Sequence, residues 1–326
     1  MYQLKNSYAN KIYGGADMKA IGIIHNPRSK KNMKHPSMLD TIKDTVGKYG
    51  TVFVPFSFEE LTEVAREIKR DGYEIIGVNG GDGTNHQIIS RIIDVYKGER
   101  LPLVAHLRGG TMNTVSNALC GIKGSVSNIT KKLVEHYKDN RPFKTKTSKV
   151  LNINGRYGFM FGTGFVANLM DIYYEGGNPG PVKALQIIYK AIASAILSTE
   201  YVDKLFKPIH AEVIIDGKKL DYEEYSVVVS SAIRNIGLNF RAIYRAEELP
   251  DRIHVFAGRA TAFEVIRRLR RLYVGHEPDF KYLTDALAKT VEIKSKDAMK
   301  YTIDGDMYED TTITLGPGPL LSYIQG

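Results

Sequence analysis

The chain has 326 residues, of which 43% are hydrophobic and 25% are charged, and one cysteine, Cys120. This composition is typical of a folded globular protein and excludes disordered, collagen-like and coiled-coil chains, while the length favours two domains. An internal disulfide is excluded, and the net charge of +9 favours an anionic partner such as phosphate, nucleic acid or a lipid surface.

No stretch of the sequence is long enough to cross a bilayer. The most apolar one, residues 184–197, spans 14 residues and includes Lys190, whereas a membrane span needs about 20 apolar residues. Residues 1–17 lack the apolar core of a signal peptide, and we treat residues 1–18 as an N-terminal extension. Together with the single cysteine, these features predict a cytoplasmic protein.

Up to about residue 148, short apolar runs alternate with segments of helical spacing. The predicted strands cover residues 20–25, 51–55, 73–78 and 101–106, and the predicted helices cover residues 38–49, 59–70, 86–96 and 113–119. Alternating strands and helices predict a parallel α/β layer. We assign residues 19–148 to this first domain.

After residue 148 the pattern changes to short strands separated by turn residues. The predicted strands cover residues 150–153, 158–161, 209–215, 225–230, 253–257, 290–294, 300–303 and 311–315, with helices at 181–198 and 262–273. This pattern predicts an antiparallel sandwich or barrel with two helical insertions, which we assign to residues 149–317. The boundary carries Lys144, Lys146 and Lys149 among threonines and serines, which predicts a solvated linker.

A glycine-rich loop, Asn79-Gly80-Gly81-Asp82-Gly83-Thr84, lies between a predicted strand and a predicted helix. Backbone amides at a helix N-terminus attract anions, and glycine lets a phosphate approach the backbone. The carboxylate of Asp82 would repel a phosphate group, so its presence indicates that a metal ion or a hydroxyl group binds in the same place. A tight turn with a helix cap is the structural alternative. The loop fits neither a P-loop nor a Rossmann fingerprint.

Gly80-Gly81-Asp82-Gly83-Thr84 resembles the nucleotide-binding signature of the diacylglycerol kinase catalytic domain, shared with sphingosine, ceramide and bacterial lipid kinases. NAD kinases and 6-phosphofructokinases carry related loops. Four further segments resemble motifs of the lipid kinases, in the same order: Asn26-Pro27-Arg28-Ser29, Gly109-Gly110-Thr111-Met112-Asn113, Gly162-Thr163-Gly164-Phe165 and Asp304-Gly305-Asp306. The resemblance spans residues 20–326. It implies an α/β domain like that of NAD kinase, a C-terminal β-sandwich domain, ATP in the cleft between them, and a return of residues 318–326 to the first domain.

The resemblance also implies a role for each matched residue. Those expected to bind ATP are Asn26, Arg28, Ser29, Gly80, Gly81, Asp82, Gly83, Thr84, Gly109, Gly110, Thr111 and Asn113. Phosphoryl transfer to an alcohol needs a group that accepts the hydroxyl proton, and the resemblance gives this role to Asp304. Asp82 and Asp306 would hold Mg²⁺, and a second metal in the family's second domain corresponds to Glu248 and Asp251. The structural alternatives are a hairpin turn at Asp304-Gly305 and a surface charge pair at Glu248 and Asp251.

Four positions depart from the family pattern. Lys30 stands where glycine is usual, Thr114 and Asp306 replace an aspartate and a glutamate, and Asn85-His86-Gln87 follows the glycine loop where an acidic pair is common. Fewer carboxylates weaken metal binding, which keeps a non-enzymatic, nucleotide- or lipid-sensing protein open as an alternative.

The two predicted helices of the second domain offer a surface for lipid. The first carries an apolar side with Leu185 and Ile187, and the second carries an arginine cluster, Arg267, Arg268, Arg270 and Arg271. Such helices can rest on an anionic bilayer. Packing against the sandwich is the alternative for the first helix, and a solvated face is the alternative for the cluster.

The leading interpretation is therefore an ATP-dependent kinase for the hydroxyl of a diacylglycerol-like or sphingoid lipid, associated peripherally with a membrane. NAD kinase is an alternative that the order of the motifs disfavours. A nucleic-acid partner is not expected, because no helix-turn-helix, RNP or zinc signature accompanies the positive charge. The motifs specify neither the lipid nor the oligomeric state, and a homodimer stays open.

Overall fold

The fold is taken from a computed structural model that describes residues 20–175, 180–197, 200–238 and 240–326. The predicted extension, residues 1–18, lies outside the described residues. The first part of the chain contains β1 (Ile21–His25), α1 (Lys30–Lys34), α2 (Met38–Val46), a 3₁₀ turn (Gly47–Tyr49), β2 (Gly50–Phe53), α3 (Phe58–Arg70), β3 (Ile75–Asn79), α4 (Asp82–Tyr96), β4 (Leu103–His106), α5 (Thr114–Ala118) and α6 (Val126–Lys138).

The first four strands pair in parallel in the order β4-β3-β1-β2. Strands β1, β3 and β4 are buried along their whole length, as expected of parallel strands covered by helices on both faces. Each predicted strand and helix of this part is present with shifted ends, and α1 and α6 are additional helices. The largest shift is in α4, which begins at Asp82 and not at residue 86.

The second part of the chain is rich in antiparallel strands. Its elements are β5 (Thr145–Ile153), β6 (Arg156–Gly158), β7 (Met160–Gly164), α7 (Phe165–Tyr174), α8 (Pro181–Leu197), α9 (Glu200–Leu205), β8 (Ile209–His210), β9 (Glu212–Ile215), β10 (Lys218–Lys219), β11 (Glu224–Tyr225), β12 (Val227–Ser231), β13 (Ile253–Arg259), α10 (Ala262–Val274), β14 (Tyr282–Ala288), β15 (Val291–Ile303) and β16 (Asp306–Ile324). Strands β14, β13, β12, β7, β15 and β16 pair in that order, each antiparallel to the next. The predicted fold class, a parallel α/β part followed by an antiparallel part, is confirmed. Among the described residues, no helix combines the length and the apolar character needed to cross a bilayer.

The predicted solvated linker around residue 148 is wrong, because this segment is strand β5. Residues Leu320 to Ile324 of β16 pair with Lys149 to Thr145 of β5. Ser148 and Lys149 are buried. A lysine contributes a long apolar stem to a buried surface when its ammonium group finds acceptors, and Lys149 does so. Composition alone therefore misidentified this strand.

Strand β16 joins the two parts of the chain. It begins beside the β15–β16 hairpin turn, and near its end Tyr323 pairs in parallel with Val104 of β4. The ring of Tyr323 stacks on His106, with ring centroids 5.4 Å apart. The sheet is thus continuous from β14 to β2 through β16 and β4. The hairpin turn at the start of β16 lies beside the glycine loop, because a Cβ atom on Gly83 would be 2.7 Å from the Oδ1 of Asp306.

Candidate active site

The glycine loop passes directly from β3 into the first turn of α4. Gly81 is the N-cap residue, with an extended backbone, and its carbonyl accepts the first helical hydrogen bond from the amide of Asn85 at 2.9 Å. Gly83 and Thr84 therefore lie in the first turn, where amides have no partner within the helix. This geometry gives the loop the anion-attracting amides that its sequence predicts.

A second glycine pair packs against this loop. A Cβ atom on Gly110 would lie 2.3 Å from the Cα of Gly81, and one on Gly109 would lie 2.3 Å from the Oδ1 of Asn79. Both glycines are required for this close approach. The following Asn113 adopts a left-handed conformation, with φ of 50°, and its amide group donates to the carbonyl of Gly110 at 3.0 Å.

The loop after β1 completes the cluster. The Nδ2 of Asn26 donates to the Oγ1 of Thr84 at 2.7 Å, and the hydroxyl of Ser29 donates to the carbonyl of Gly109 at 3.3 Å. Arg28 is exposed on the same loop, and its backbone amide donates to the Oδ1 of Asn26. The three segments predicted to bind ATP thus meet at one edge of the parallel sheet. The predicted roles of the individual residues stay predictions.

The carboxylate of Asp82 is already used within the protein. Its two oxygens accept hydrogen bonds from the backbone amides of Thr114 and Val115, at 3.0 and 3.1 Å, at the start of α5. Burial raises the pKa of Asp82, and these two amides oppose that rise. Asp82 therefore connects the glycine loop to the segment that follows β4. This contact was not foreseen from the sequence.

The motif Asp304-Gly305-Asp306 forms the turn between β15 and β16. Ile303 pairs with Asp306, and Asp304 and Gly305 both have positive φ, 50° and 98°, as in the two-residue hairpin turns that Asp-Gly favours. The alternative interpretation of this motif, a hairpin turn, therefore describes its backbone correctly. It is compatible with a catalytic role, because the turn places the Asp304 side chain in the wall of the cleft.

The carboxylate of Asp304 is held by backbone amides at the start of β7. It accepts hydrogen bonds from Phe159, at 3.0 and 3.1 Å to its two oxygens, and from Met160, at 2.8 Å. Only 6% of Asp304 is exposed. Burial raises its pKa well above the usual value, the two amides oppose this effect, and the nearby Asp82 and Asp306 carboxylates add to it.

Asp306 lies at the end of a network of hydrogen bonds in which each donor and acceptor can be assigned. The Nε2 of Gln87 donates to the Oδ2 of Asp306 at 3.0 Å and to the hydroxyl of Tyr308 at 2.9 Å. The Nδ1 of His86 lies 2.6 Å from the carbonyl of Tyr157, which can only accept, so Nδ1 carries the proton and Nε2 accepts from Tyr308 at 2.9 Å. Burial lowers the pKa of His86. His86 and Gln87, noted in the sequence only as departures from the family, thus fix the position of Asp306.

The residues predicted to hold two metal ions lie in two separate places. Asp306 lies against Gly83, where a Cβ atom would meet its Oδ1 at 2.7 Å. Glu248 lies on a distant turn of the second part, where its carboxylate accepts two hydrogen bonds from Arg245, and Asp251 is exposed on the same turn. In the part of the chain that the structure describes, no three histidine, cysteine, aspartate or glutamate side chains are arranged to hold a metal ion.

One cavity of about 1170 Å³ connects these features. At one end it is lined by the glycine loop, by the loop after β1 and by Phe56 and Phe58, which are 58% and 54% exposed. Asp304 and Asp306 also line it: Asp306 lies against Gly83 of the glycine loop, and Asp304 is hydrogen-bonded to the amide of Met160 at the start of β7. The other end is an apolar chamber between the antiparallel strands and helices α7, α8 and α10, lined by Phe161, Leu169, Ile187, Phe206, Val229, Phe256, Val265, Leu269 and Leu283 among others. The two phenylalanines were missed in the sequence, where two aromatic residues between a predicted strand and the next predicted helix were the available signal.

Comparison with known proteins agrees with this geometry. Residues 20–143 match the family model described as diacylglycerol kinase catalytic domain. Three solved structures from Bacillus anthracis str. Sterne share the fold. One is described as a diacylglycerol kinase; it is 17% identical with a TM-score of 0.59, over 94% of this chain and 97% of that chain. Two are described as candidate diacylglycerol kinases; both are 15% identical, with TM-scores of 0.64 and 0.59, over 94% and 95% of this chain and 97% and 99% of those chains.

No curated protein shows significant sequence similarity to the chain. The family match covers the α/β part and includes the glycine loop and the two neighbouring motifs, and it supports a kinase-type function. The resemblance to the diacylglycerol kinase catalytic domain that the motifs of the sequence predict is therefore confirmed for residues 20–143.

Proposed function

We propose that the protein is an ATP-dependent kinase that phosphorylates a hydroxyl group of a lipid. The observation that carries this proposal is the single cavity, which runs from the glycine loop past Asp304 into an apolar chamber. Phosphoryl transfer needs a phosphate site, a proton acceptor and an acceptor site in line. These three parts follow one another along the cavity.

The glycine loop fits a polyphosphate because one of its glycines is not required by packing. A Cβ atom on Gly81 would meet only the Cα of Gly110, at an ordinary contact distance of 3.5 Å, and its φ is −94°. By contrast, a Cβ atom on Gly80 would lie 2.4 Å from the Thr84 side chain. The space above Gly81 is therefore open to a ligand, as a site for phosphate oxygens on backbone amides requires.

The carboxylates near this loop fit a magnesium ion that arrives with the nucleotide. Mg²⁺ is usually held by one or two carboxylates together with substrate phosphates and water. Asp306 would be the main protein ligand, with Asp82 beside it, although Asp82 is occupied by the amides of Thr114 and Val115. When bound, the ion would neutralise negative charge on the phosphates.

In the proposed reaction Asp304 accepts the proton of the lipid hydroxyl. A base works best when its pKa lies near the working pH, and burial raises the pKa of Asp304 in that direction. The amides of Phe159 and Met160 hold the carboxylate in place, so no reorganisation is needed before the proton moves. Gln87 and Tyr308 keep Asp306 aligned beside it.

The apolar chamber favours a lipid over NAD as the acceptor. Its walls consist of aliphatic and aromatic side chains from β7, β12, β13, α7 and α10, and such walls match an alkyl chain, whereas NAD carries charged and polar groups that would stay unpaired there. Radiolabelled ATP, a panel of lipid alcohols in mixed micelles, and NAD would test the proposal. A labelled phospholipid product is expected. Label on NAD alone would show an NAD kinase, and no labelled product would favour a sensing protein.

We further propose that α8 and α10 contact an anionic membrane. The outward face of α10 carries Phe263, Arg267, Arg270 and Val274, which are exposed, while Val265, Ile266 and Leu269 on the opposite face line the chamber. On α8, Tyr189 is 77% exposed. Exposed aromatic and apolar side chains next to arginines are typical of helices that bind at a lipid surface.

Replacing the arginine cluster with glutamine should weaken binding to anionic vesicles. Each arginine near such a surface contributes about 1 kcal/mol, and the effect should shrink with added salt. The measurement is sedimentation with vesicles, together with activity on vesicle-borne lipid and on a soluble short-chain lipid. In a matched control, four exposed lysines elsewhere are replaced with glutamine, which removes the same number of positive charges: Lys123, Lys131, Lys132 and Lys138. Equal losses on both lipids, or an equal effect of the control, would contradict a membrane role.

A further inference from the structure

The turn formed by residues 243–251 does not fit the metal ion that the family resemblance implies. The carboxylate of Glu248 is bound by the guanidinium of Arg245, at 2.9 and 3.2 Å, so a metal ion would have to displace this ion pair. The neighbouring Arg245 amide donates to the Nδ1 of His254. Within the described residues no group of three ligand-type side chains could hold a metal. The turn must be held together by something else.

A buried lysine from β5 reaches into this turn. Lys149 is only 4% exposed, and its Nζ donates to the carbonyls of Ala246 at 2.6 Å and of Leu249 at 2.7 Å. Burial lowers the pKa of Lys149, and the carboxylates of Glu247 and Asp251 on the same turn oppose that shift. A positive charge that contacts two carbonyl oxygens, with two carboxylates near enough to act on its pKa, takes the place that a bound cation would otherwise occupy.

We propose that the ammonium group of Lys149 is the resident cation of this turn, so that the turn takes no divalent metal ion. Without the ammonium group, the carbonyl of Ala246 would be buried and that of Leu249 partly buried with no hydrogen-bond donor, and unpaired buried acceptors are costly. The turn also supplies part of the cavity wall, because Ile243 lines the chamber and packs with Ala246 and Phe256. Lys149 is therefore a positioning residue for that wall.

The first test needs no substitution in β5. The melting temperature of the full-length, nucleotide-free protein is measured in EDTA and then with MgCl₂ or CaCl₂ added in steps. We expect the ions to leave the melting temperature unchanged. A change that persists in the double variant Glu248→Gln, Asp251→Asn would come from an ion bound at another site. A saturable rise that the double variant loses would show a metal on the turn and overturn the proposal.

The second test uses a neighbouring lysine as the control. Lys146 lies on the same strand, is half-buried, and donates to Glu247 and to the carbonyl of Ala118. Lys149→Met should lower the melting temperature by about 5 °C or more, and Lys146→Met by about 1 °C. Lys149→Gln, which keeps N–H donors without charge, should fall between wild type and Lys149→Met. A Lys149→Met variant as stable as Lys146→Met, or a Lys149→Gln variant as stable as wild type, would overturn the proposal.

Discussion

Asp304→Asn should lower turnover by about 10²–10⁴-fold and leave ATP affinity almost unchanged. Asparagine keeps the shape of the side chain, and its carbonyl oxygen can still accept the hydrogen bonds that Phe159 and Met160 donate. It is not basic enough to take a proton from a hydroxyl group. The measurement is steady-state turnover on the lipid substrate, with ATP binding followed by calorimetry. A variant with wild-type turnover would show that the base lies elsewhere.

The neighbouring Asp306 provides the control for a general folding defect. Asp306→Asn removes charge expected to hold Mg²⁺, so raising the Mg²⁺ concentration should restore part of the lost activity. No concentration of Mg²⁺ should restore Asp304→Asn. Because both residues flank one turn, identical behaviour of the two variants would indicate damage to the turn and would contradict separate roles.

The pH profile gives a further signature of Asp304. Burial raises its pKa above the usual value, and only the carboxylate form can accept a proton. Activity should therefore be complete above this raised pKa and fall as the pH drops through it. The acidic limb should be absent from the residual activity of Asp304→Asn.

Gly81→Val should abolish ATP binding in a protein that still folds. The position has open space and an ordinary backbone conformation, so a side chain there strains nothing in the protein itself but occupies the place of a phosphate. Calorimetry measures ATP affinity, and thermal melting checks the fold. Gly180→Val is the matched control, because this glycine also has open space around it and lies outside the loop.

The structure distinguishes Gly81 from its neighbours. Substituting Gly80 would force Thr84 aside, and a side chain on Gly83 would collide with the Asp306 carboxylate. Those variants would disturb contacts within the protein. Of the three substitutions, Gly81→Val alone tests ligand binding without such a disturbance. An unchanged ATP affinity in folded Gly81→Val would mean that the loop is merely a turn, and the proposed kinase function would fail with it.

The meeting of the three motifs that are expected to bind ATP was predictable from the sequence. Each motif follows a buried strand, and the carboxyl ends of parallel strands lie at one edge of a sheet. Asn26 and Thr84, 58 residues apart, are hydrogen-bonded as a result. The fold class was predictable for a related reason, since the change from strand-helix alternation to short strands is visible in the hydrophobic pattern.

Contacts between a side chain and a distant backbone were not predictable in this way. Nothing in the residues around Asp82 indicates that its carboxylate accepts from the amide of Val115. Likewise, the residues around Lys149 have the composition of a solvated segment. The carbonyl groups that Lys149 contacts lie about 100 residues further along the chain. Such pairings depend on how the elements are assembled, which hydrophobic periodicity does not encode.

The 19-residue strand β16 has a consequence for how the protein is made. During synthesis the glycine loop and the parallel strands leave the ribosome long before residues 321–324, which cover the edge of β4. Until then a buried, apolar strand has an open edge that other chains can pair with. The same strand begins at the hairpin turn that carries Asp304, so the segment that covers β4 is continuous with the proposed catalytic turn. We therefore expect folding of this protein to be slow and to depend on the pairing of Tyr323 with Val104.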